Sequence, residues 1–533
     1  MAKLSVSAND DHITVEFKRG ESVKEILDQT SFRVRSACRG FGACGLCKVK
    51  VIKGEVNKVE EAEKLHLSQD ELNSNIRLGC QLFPEKDLEI KIINLAPVSK
   101  WRSKTFFSNS SIYKESTFDQ NEYPSIAEPL ALAIDLGTTN ISVVVFSLKF
   151  GQVLAERIIN NPQTKYGDNV ISRLISANES KESAKELQHM IIEIIADGLM
   201  DITTRDVIRL NDIVKVGIVG NTTMLSLLSN KNQKELLNPK KWDKYIDVVE
   251  FDEKEWIKRW GINRDARILK IKPIATFVGS DILAGIITTG LMQENRPSVL
   301  VDFGTNSEIA LWTGKELLVT SASGGPAFEG TGFKFGMPAV SGAIYSANIK
   351  NSEEWEFKAV DNDKISGICG SGIIDIIANL IDENILTQTG SFNQKEQKWD
   401  LPIKEPDLYI TKHDIDLIQR AKAAIITGID ILCKEVGIKT DSLQKVFIGG
   451  AFGLYLNIEN SKKIGLIPNI KNNNIKIIGN SALNGCIDII RYREAEEYIA
   501  QLENKIKIVN MSKVDAFDLL YLKNLFLKPA EEL

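Results

Sequence analysis

The sequence contains few of the residues and runs that several classes of protein require. Its 533 residues include four histidines and seven cysteines, which are too scattered for a histidine metal cluster or a disulfide framework. No uninterrupted apolar run approaches the roughly 18 residues of a membrane-spanning helix. The first residues also lack the charged region and apolar segment of a secretory signal. We therefore expect no membrane association, and we expect a reducing cytoplasm as the compartment.

The charges of the chain are close to balance. The formal net charge is −5, and acidic and basic residues are mixed throughout. This pattern gives no electrostatic footprint for nucleic acid and no polybasic membrane anchor. The composition, with 43% hydrophobic and 26% charged residues, is ordinary for globular proteins, and the length predicts about three or four domains.

Four of the cysteines form a pattern of their own. Cys38, Cys44 and Cys47 are spaced C-x5-C-x2-C with three glycines between them, and Cys80 follows after 32 further residues. A 2Fe–2S cluster is held by four thiolates in this way, three of them on one tight loop. A zinc site or a set of buried thiols are alternatives, but structural zinc sites usually pair their cysteines as C-x2-4-C units. We therefore predict that these four cysteines hold a 2Fe–2S cluster.

The cysteine loop is similar to that of the adrenodoxin-like branch of 2Fe–2S ferredoxins, whose first gap is also one residue longer than in the plant type. Alternating segments near residues 12–17, 48–52 and 88–93 predict strands. Ser22 and Glu25 predict the capping box of a short helix. This order matches a ferredoxin β-grasp domain over residues 1–95. Residues 96–128 have prolines, a Ser/Asn-rich middle and no periodicity, so they predict a linker.

A second motif occurs twice. Asp135-Leu-Gly-Thr-Thr-Asn follows an apolar strand, and Asp302-Phe-Gly-Thr-Asn follows another apolar strand 167 residues later. Two copies of strand–Asp-x-Gly-Thr–strand predict an internal duplication and two similar lobes. Asp135 and Asp302 are placed where a carboxylate could hold hydrated Mg²⁺ or orient an attacking water.

We call residues 135–140 phosphate loop 1 and residues 302–306 phosphate loop 2. Their glycines permit a sharp turn, and the hydroxyl, amide and backbone N–H groups that follow can bind phosphate oxygens. The candidate phosphate-binding residues are Gly137, Thr138, Thr139, Asn140, Gly304, Thr305 and Asn306.

A third motif is the strand from Lys445 that runs into Gly449, Gly450 and Gly453. Alone it predicts only a tight turn with close backbone approach. After two phosphate loops it predicts an adenosine-binding turn, which we call the adenosine turn (residues 449–453). Asp281 lies near a predicted helix start, where it would complement the helix dipole.

These three motifs, in this order, resemble the superfamily of acetate and sugar kinases, heat-shock chaperones and actin. The resemblance implies an α/β and α+β multidomain chain, in which the ferredoxin domain and linker precede a two-lobed, actin-like ATPase domain that binds ATP in its cleft. Lobe I would span residues 129–295 with a helical insertion, and lobe II would span residues 296–533.

The whole arrangement resembles the ATP-dependent reductive activators of corrinoid proteins. The resemblance implies that the chain transfers one electron from its 2Fe–2S cluster to a Co(II) corrinoid, which regenerates Co(I) for methyl transfer, with ATP and Mg²⁺ at Asp135 and Asp302. The implied partners are a corrinoid protein of a methyltransferase system, an upstream ferredoxin or reductase, and a second copy of the chain in a homodimer.

Three other functions stay open on the sequence. They are a redox-regulated kinase of a small molecule, a nucleotide-gated electron-transfer or binding protein, and an activator of another low-potential enzyme. An electron carrier joined to an ATP site favours an uphill reduction, since moving one electron about 200 mV uphill needs roughly 5 kcal/mol.

Overall fold

The computed structural model describes most of the chain. The described residues are 2–8, 11–28, 30, 32, 34, 40, 42, 45, 47–93, 113–167, 169–242, 244–249, 252–324, 326–330, 332–350, 354–393, 397–403, 406–502 and 505–530. Within them, no helix combines the length and the apolar character needed to cross a bilayer.

The N-terminal domain is a five-stranded sheet with three short helices. Its elements are β1 (Ala2–Ala8), β2 (Asp11–Phe17), α1 (Val23–Asp28), β3 (Lys48–Lys53), α2 (Glu61–His66), α3 (Gln69–Asn73), β4 (Ile76–Leu78) and β5 (Leu88–Ile92). The strand order is β2-β1-β5-β3-β4, and β1 runs parallel to β5 while the other pairs are antiparallel. The β-grasp fold predicted from the sequence is confirmed.

Alternation and capping explain why these residues form these elements. Along β1 the side chains of Leu4, Val6 and Ala8 are buried and their neighbours are not, as expected for a strand with one face on a core. The helix α1 begins after Ser22, whose hydroxyl accepts a hydrogen bond from Glu25 N while the Glu25 carboxylate accepts one from Ser22 N. The predicted capping box is therefore present.

The described part of the predicted linker packs against the following domain. Tyr113 is buried, and its hydroxyl donates a hydrogen bond to the carbonyl of Ile287 over 2.8 Å. Thr117 N donates to the carbonyl of Arg491 over 2.7 Å. Residues 113–128 are therefore attached to helices of the two-lobed region, and residues 94–112 lie outside the described residues.

The first half of the two-lobed region is built on a second five-stranded sheet, in the order β10-β9-β6-β7-β8. Its elements are β6 (Leu130–Leu136), β7 (Asn140–Ser147), β8 (Val153–Asn160), α4 (Val170–Glu179), α5 (Lys181–Arg205), β9 (Ile213–Gly220), α6 (Thr222–Ser229), α7 (Gln233–Leu236), α8 (Glu253–Trp260), β10 (Arg267–Leu269) and α9 (Ser280–Thr289). The strand β6 is buried at nearly every position, which fits a central strand covered on both faces.

The second half is built on a six-stranded sheet, in the order β20-β19-β11-β12-β13-β21. Its elements are β11 (Ser298–Phe303), β12 (Ser307–Trp312), β13 (Leu317–Ala322), β14 (Ala343–Lys350), β15 (Glu354–Ala359), β16 (Gly367–Ile368), α10 (Gly370–Asp382), β17 (Lys398–Asp400), β18 (Tyr409–Thr411), α11 (Lys412–Glu435), β19 (Lys445–Gly449), α12 (Ile458–Lys463), β20 (Ile475–Gly479), α13 (Ser481–Arg491), α14 (Arg493–Leu502), β21 (Ile506–Ile508) and α15 (Phe517–Asn524). Two smaller sheets, β15-β14-β16 and β17-β18, accompany it.

The two large sheets repeat one topology. In the first, β6 pairs antiparallel with β7 and parallel with β9; in the second, β11 pairs antiparallel with β12 and parallel with β19. Each phosphate loop joins the first two strands of its sheet. The internal duplication and the actin-like two-lobed fold predicted from the sequence are therefore confirmed.

Two helices, α9 and α13, pack closely against each other at the junction of the two sheets. A Cβ atom built on Gly485 of α13 would overlap the carbonyl oxygen of Ala284 in α9. A Cβ atom built on Gly285 would lie 3.1 Å from Ser481 Oγ. Glycine on both helices therefore permits the close approach that brings the start of α13 to both phosphate loops.

Candidate functional site

The described part of the predicted cluster site contains two thiols, on Cys47 and Cys80. Both are buried, and their sulfur atoms lie 3.4 Å apart. Two thiolates on one tetrahedral metal, at a metal–sulfur distance of about 2.3 Å, lie roughly 3.8 Å apart. The pair therefore fits two ligands of the same iron. Cys38 and Cys44 lie outside the described residues.

Strand pairing holds these two thiols together. Cys47 immediately precedes β3 and Cys80 follows β4, and the two strands are paired antiparallel with Lys48 opposite Leu78. Gly79 N donates a hydrogen bond to the carbonyl of Cys47 over 2.7 Å. The sulfur positions are therefore set by backbone geometry, as a rigid redox site requires.

A buried ion pair secures the segment between the third and fourth cysteines. The Arg77 side chain donates to both oxygens of the fully buried Glu63 carboxylate, at 2.8 Å and 2.6 Å. Glu63 also accepts from Leu78 N at 2.9 Å. A bidentate pair with further hydrogen bonds is the form in which buried charges are tolerated.

An amide side chain lies beside the thiol pair. Gln81 Nε2 is 3.6 Å from Cys80 Sγ and donates to the carbonyl of Gly40 over 3.2 Å. Gly40 belongs to the cysteine loop and has a φ of +95°, so glycine is required there. Hydrogen bonds to cluster sulfurs are one means by which a protein sets a reduction potential.

Between the two large sheets lies a cleft of about 930 Å³ that both phosphate loops line. The structure thus brings together residues that are 167 positions apart in the chain. The predicted site residues that line it are Asp135, Gly137, Thr138, Thr139, Asn140, Asp302, Gly304, Thr305, Asn306 and Gly450.

The adenosine turn contributes to one end of this cleft. Gly450, with a φ of +88°, lies where a Cβ atom would overlap the carbonyl oxygen of Phe303, and a Cβ atom on Gly449 would lie 2.6 Å from Ser481 Oγ. Gly449 and Gly453 are not among the residues that line the cleft. Phe452 of the adenosine turn and Tyr455 just after it do line the cleft, and they give this end an apolar wall.

The start of α13 contacts the paired aspartates. Asn480 Nδ2 donates to Asp135 Oδ2 over 2.8 Å, and Ser481 Oγ donates to Asp302 Oδ2 over 2.5 Å. Asp135 and Asp302 belong to different lobes, so one helix terminus is bonded to both.

Carboxylates dominate the electrostatics of the cleft. Burial raises the pKa of Asp135 from 3.8 to about 7 and the pKa of Asp302 from 3.8 to about 6, against the hydrogen bonds from α13. Burial, with the charges of Asp302 and Asp135 adding to it, raises the pKa of Asp281 to about 7. Burial also raises the pKa of Glu308 well above its usual value.

A bound cation would offset the burial that raises these pKa values, because its charge stabilises the ionised carboxylates. Among the described residues that line the cleft there is no lysine and no arginine. A divalent cation is therefore the charge that would let these carboxylates ionise together. The chemistry of the site fits a metal-complexed anion better than a free one.

The two phosphate loops contact each other. The hydroxyls of Thr139 and Thr305 are 2.7 Å apart, and Thr139 Oγ1 also donates to Glu329 Oε2 over 2.8 Å. Thr305 Oγ1 lies 3.2 Å from the same carboxylate oxygen. The hydroxyls predicted to bind phosphate therefore converge on one point of the cleft.

Several residues of the cleft are not evident from the sequence. No sequence pattern predicts a role for Glu308, Glu329, Asn480 or Ser481, and the helix dipole is the only role predicted for Asp281. One sequence pattern could have found α13, because Gly279-Ser280-Asp281 and Gly479-Asn480-Ser481 occupy equivalent places in the duplicated halves. Both glycine-led triplets lie at the start of a helix that faces the cleft.

Comparison with protein families gives three consecutive matches. Residues 6–85 match the model of a 2Fe-2S iron-sulfur cluster binding domain. Residues 130–294 match the RACo middle region, and residues 296–532 match the C-terminal domain of RACo, the ASKHA domain. The last two models together cover well over half of the chain. These matches support a 2Fe–2S cluster and ATP as the bound groups.

Individual relatives agree with the family models. The chain is 30% identical over 377 residues to the corrinoid activation enzyme RamQ of Eubacterium limosum, which covers 66% of this chain and 63% of the relative. It is 23% identical over 428 residues to the Co(II) methylated amine-specific corrinoid protein reductase of Methanosarcina barkeri, covering 73% and 76% of the two chains. The chain thus spans somewhat less than two thirds of the first of these relatives.

A solved structure extends the likeness to the full length. The reductive activator for corrinoid, iron-sulfur protein superimposes with a TM-score of 0.66 at 25% identity, over 100% of this chain and 99% of that chain. In this chain, an iron–sulfur domain, a RACo middle region and an ASKHA domain follow one another. The chain belongs to the RACo family, and the resemblance to reductive activators of corrinoid proteins is confirmed.

Proposed function

We propose that this protein uses ATP to drive one electron from a 2Fe–2S cluster to the Co(II) corrinoid of a partner protein, which restores Co(I) for methyl transfer. The observation that carries the proposal is the presence, in one RACo-family chain, of a thiol pair spaced for one iron and an acidic cleft lined by both phosphate loops. The printed names of the relatives, a corrinoid activation enzyme and a Co(II) corrinoid protein reductase, support the same substrate.

The cluster residues would act as a rigid holder. Cys38, Cys44, Cys47 and Cys80 would bind the cluster, which supplies a one-electron donor when bound. Strands β3 and β4 fix two of these sulfurs, and Gln81 places an amide beside the fourth. A fixed ligand set lowers the rearrangement that accompanies electron transfer.

The cleft residues would bind the nucleotide as a complex with Mg²⁺. Asp135 and Asp302 would hold the hydrated cation, and the hydroxyl, amide and backbone N–H groups of the two phosphate loops would bind the phosphates. The adenosine turn, with Gly449, Gly450 and Gly453, would pass close to the nucleoside. Lobe I (129–295) and lobe II (296–533) would close on the nucleotide, while the ferredoxin domain (1–95) follows a linker (96–128).

Nucleotide binding would supply the energy for the reduction. An electron moved about 200 mV uphill needs roughly 5 kcal/mol, and a ligand can shift a two-state equilibrium by that amount through differential affinity. We further propose that an upstream ferredoxin or reductase donates the electron and that a corrinoid protein of a methyltransferase system accepts it. The proposal also includes a homodimer and a cytoplasmic location.

The test is anaerobic mixing of the reduced protein with a candidate corrinoid protein in the Co(II) state, followed by absorption spectroscopy. We expect the Co(I) band to form with MgATP and not without it. Asp302→Asn should keep the visible spectrum of the cluster and abolish Co(I) formation, whereas Asp265→Asn, at a side chain that is 83% exposed, should behave as wild type. Equal Co(I) formation without ATP, or transfer of phosphate to a small molecule, would contradict the proposal.

A further inference from the structure

The carboxylate of Glu329 lies at the point where the two phosphate loops meet. It accepts hydrogen bonds from Thr139 of loop 1, at 2.8 Å, and from Thr305 of loop 2, at 3.2 Å and 3.4 Å to its two oxygens. The two hydroxyls are themselves 2.7 Å apart. A planar anion with two acceptor oxygens thus takes the hydrogen bonds that the loops would offer to a phosphate group.

Burial raises the pKa of the Glu329 carboxyl, and once ionised it is compensated by no cation among the described residues that line the cleft. Lysine and arginine are absent from the described residues that line the cleft, and the other ionisable groups there include Asp135, Asp302 and Glu308. Above about pH 7, where Asp135 and Asp302 are ionised, an incoming phosphate would therefore meet like charge, which opposes its binding. A phosphate whose charge is neutralised by a divalent cation would meet much less of this repulsion.

Packing on both sides keeps Glu329 at this point. The ring of Phe328 lies 5.8 Å from that of Phe303 in loop 2 and 4.8 Å from that of Phe452 in the adenosine turn. Gly330 follows with a φ of +80°, and a Cβ atom on Gly370 would overlap the Phe328 carbonyl oxygen. The segment carrying the carboxylate is therefore attached to the surfaces that the phosphates and the nucleoside would contact.

We propose that Glu329 is a specificity-determining residue that occupies the phosphate position between Thr139 and Thr305 and yields it only to a metal-complexed nucleotide. The inference rests on the proposed function, because it takes the cleft to be a nucleotide site. Free nucleotide and inorganic phosphate compete poorly with the internal carboxylate. The Mg²⁺ complex displaces the carboxylate from the two hydroxyls.

The experiment measures the dissociation constant of a non-hydrolysable ATP analogue by calorimetry, with Mg²⁺ and with EDTA. Glu329→Gln keeps the acceptor oxygen and removes the charge, so we expect binding of the metal-free analogue to tighten by roughly tenfold or more, with a smaller change for the Mg²⁺ complex. Glu329→Ala, which lacks both, serves as the second variant. Glu316→Gln, at an exposed hairpin turn, is the charge-matched control and should leave both constants unchanged.

The outcomes separate the inference from the proposed function. If the wild-type protein binds no nucleotide under either condition, the proposed function fails. If it binds the Mg²⁺ complex, but Glu329→Gln and Glu329→Ala leave metal-free binding unchanged, the inference is wrong. A loss of binding in the variants that occurs only with Mg²⁺ would identify Glu329 as a ligand of the cation and would also overturn it.

Discussion

Replacing Asp135 with asparagine should stabilise the protein in the absence of nucleotide and Mg²⁺. The same change should remove its response to MgATP. The side chain keeps its shape, and an asparagine oxygen can still accept the hydrogen bond that Asn480 donates. What disappears is a carboxylate that burial and the charge of Asp302 hold in its neutral form. We expect a more stable protein that no longer responds to MgATP, which is the usual relation between stability and activity at a strained site.

The size of the gain follows from the raised pKa. The pKa of Asp135 rises from 3.8 to about 7, and a difference of about three pH units corresponds to roughly 4 kcal/mol at about 1.36 kcal/mol per unit. The roughly 4 kcal/mol is an upper bound, because the side chain is partly exposed to the cleft and water there reduces the cost of its charge. We therefore expect the variant to gain about 1–2 kcal/mol in free energy of unfolding. The two-lobed region has about 400 residues, and at about 2 cal/mol/K of unfolding entropy per residue that gain raises its Tm by roughly 1–2.5 °C.

The gain should depend on pH, with a definite sign. Below pH 3.8, the pKa of the carboxyl in the unfolded chain, the carboxyl is protonated in both states. Its ionisation then makes no contribution to the free energy of unfolding. As pH rises from about 4 to about 7, the unfolded state loses its proton while the folded state keeps it, so wild-type stability falls. Above about pH 7 the full cost is present, and the variant should show its full advantage there.

The assay is thermal unfolding at pH 5 and pH 8, in buffer free of nucleotide and Mg²⁺. Asp265→Asn is the matched control, because its side chain is 83% exposed and exposed charges contribute little to stability. We expect Asp135→Asn to gain stability over wild type mainly at pH 8. An equal gain at both pH values, or a loss at pH 8, would refute the electrostatic explanation.

Two further predictions concern the thiol pair and the contact between α9 and α13. Cys80→Ala should reduce the bound iron by more than about tenfold and remove the visible absorption, whereas Cys433→Ala, at a buried thiol of α11, should keep both; iron retained after loss of Cys80 would contradict the ligand assignment. Gly485→Ala should lower the free energy of unfolding by about 1–3 kcal/mol, because the new Cβ would overlap the Ala284 carbonyl oxygen. Gly324→Ala, whose nearest neighbours lie at 3.6 Å, is its control in denaturant unfolding, and similar losses in both variants would refute the packing argument.

Local sequence patterns were sufficient for most of the fold. The repeated strand–Asp-x-Gly-Thr–strand unit predicted two sheets with the same topology, since each copy carries its own turn chemistry between two apolar strands. The sequence does not predict the helices α2 and α3, because helices of only six and five residues are too short to show an apolar periodicity. Their capping boxes, with Ser68 and Glu71 at the start of α3, were the local evidence available.

The cleft was less predictable, because several of its residues reach it only through tertiary packing. Asn480 and Ser481 are ordinary helix-start residues in the sequence, and they meet the aspartates only because Gly285 and Gly485 let α13 approach α9. Glu329 lies in a glycine-rich loop whose path depends on the aromatic contacts of Phe328. Such tertiary contacts produce no periodic pattern in the sequence from which they could be predicted.

The position of α13 has a consequence for how the two lobes communicate. Asn480 and Ser481 are consecutive, and each is bonded to the aspartate of a different lobe. Asn480 is the residue before the helix and Ser481 is its first residue, so a displacement of this helix start would break both bonds together. A change at either aspartate that displaces the start of α13 would therefore reach the other aspartate through this one element.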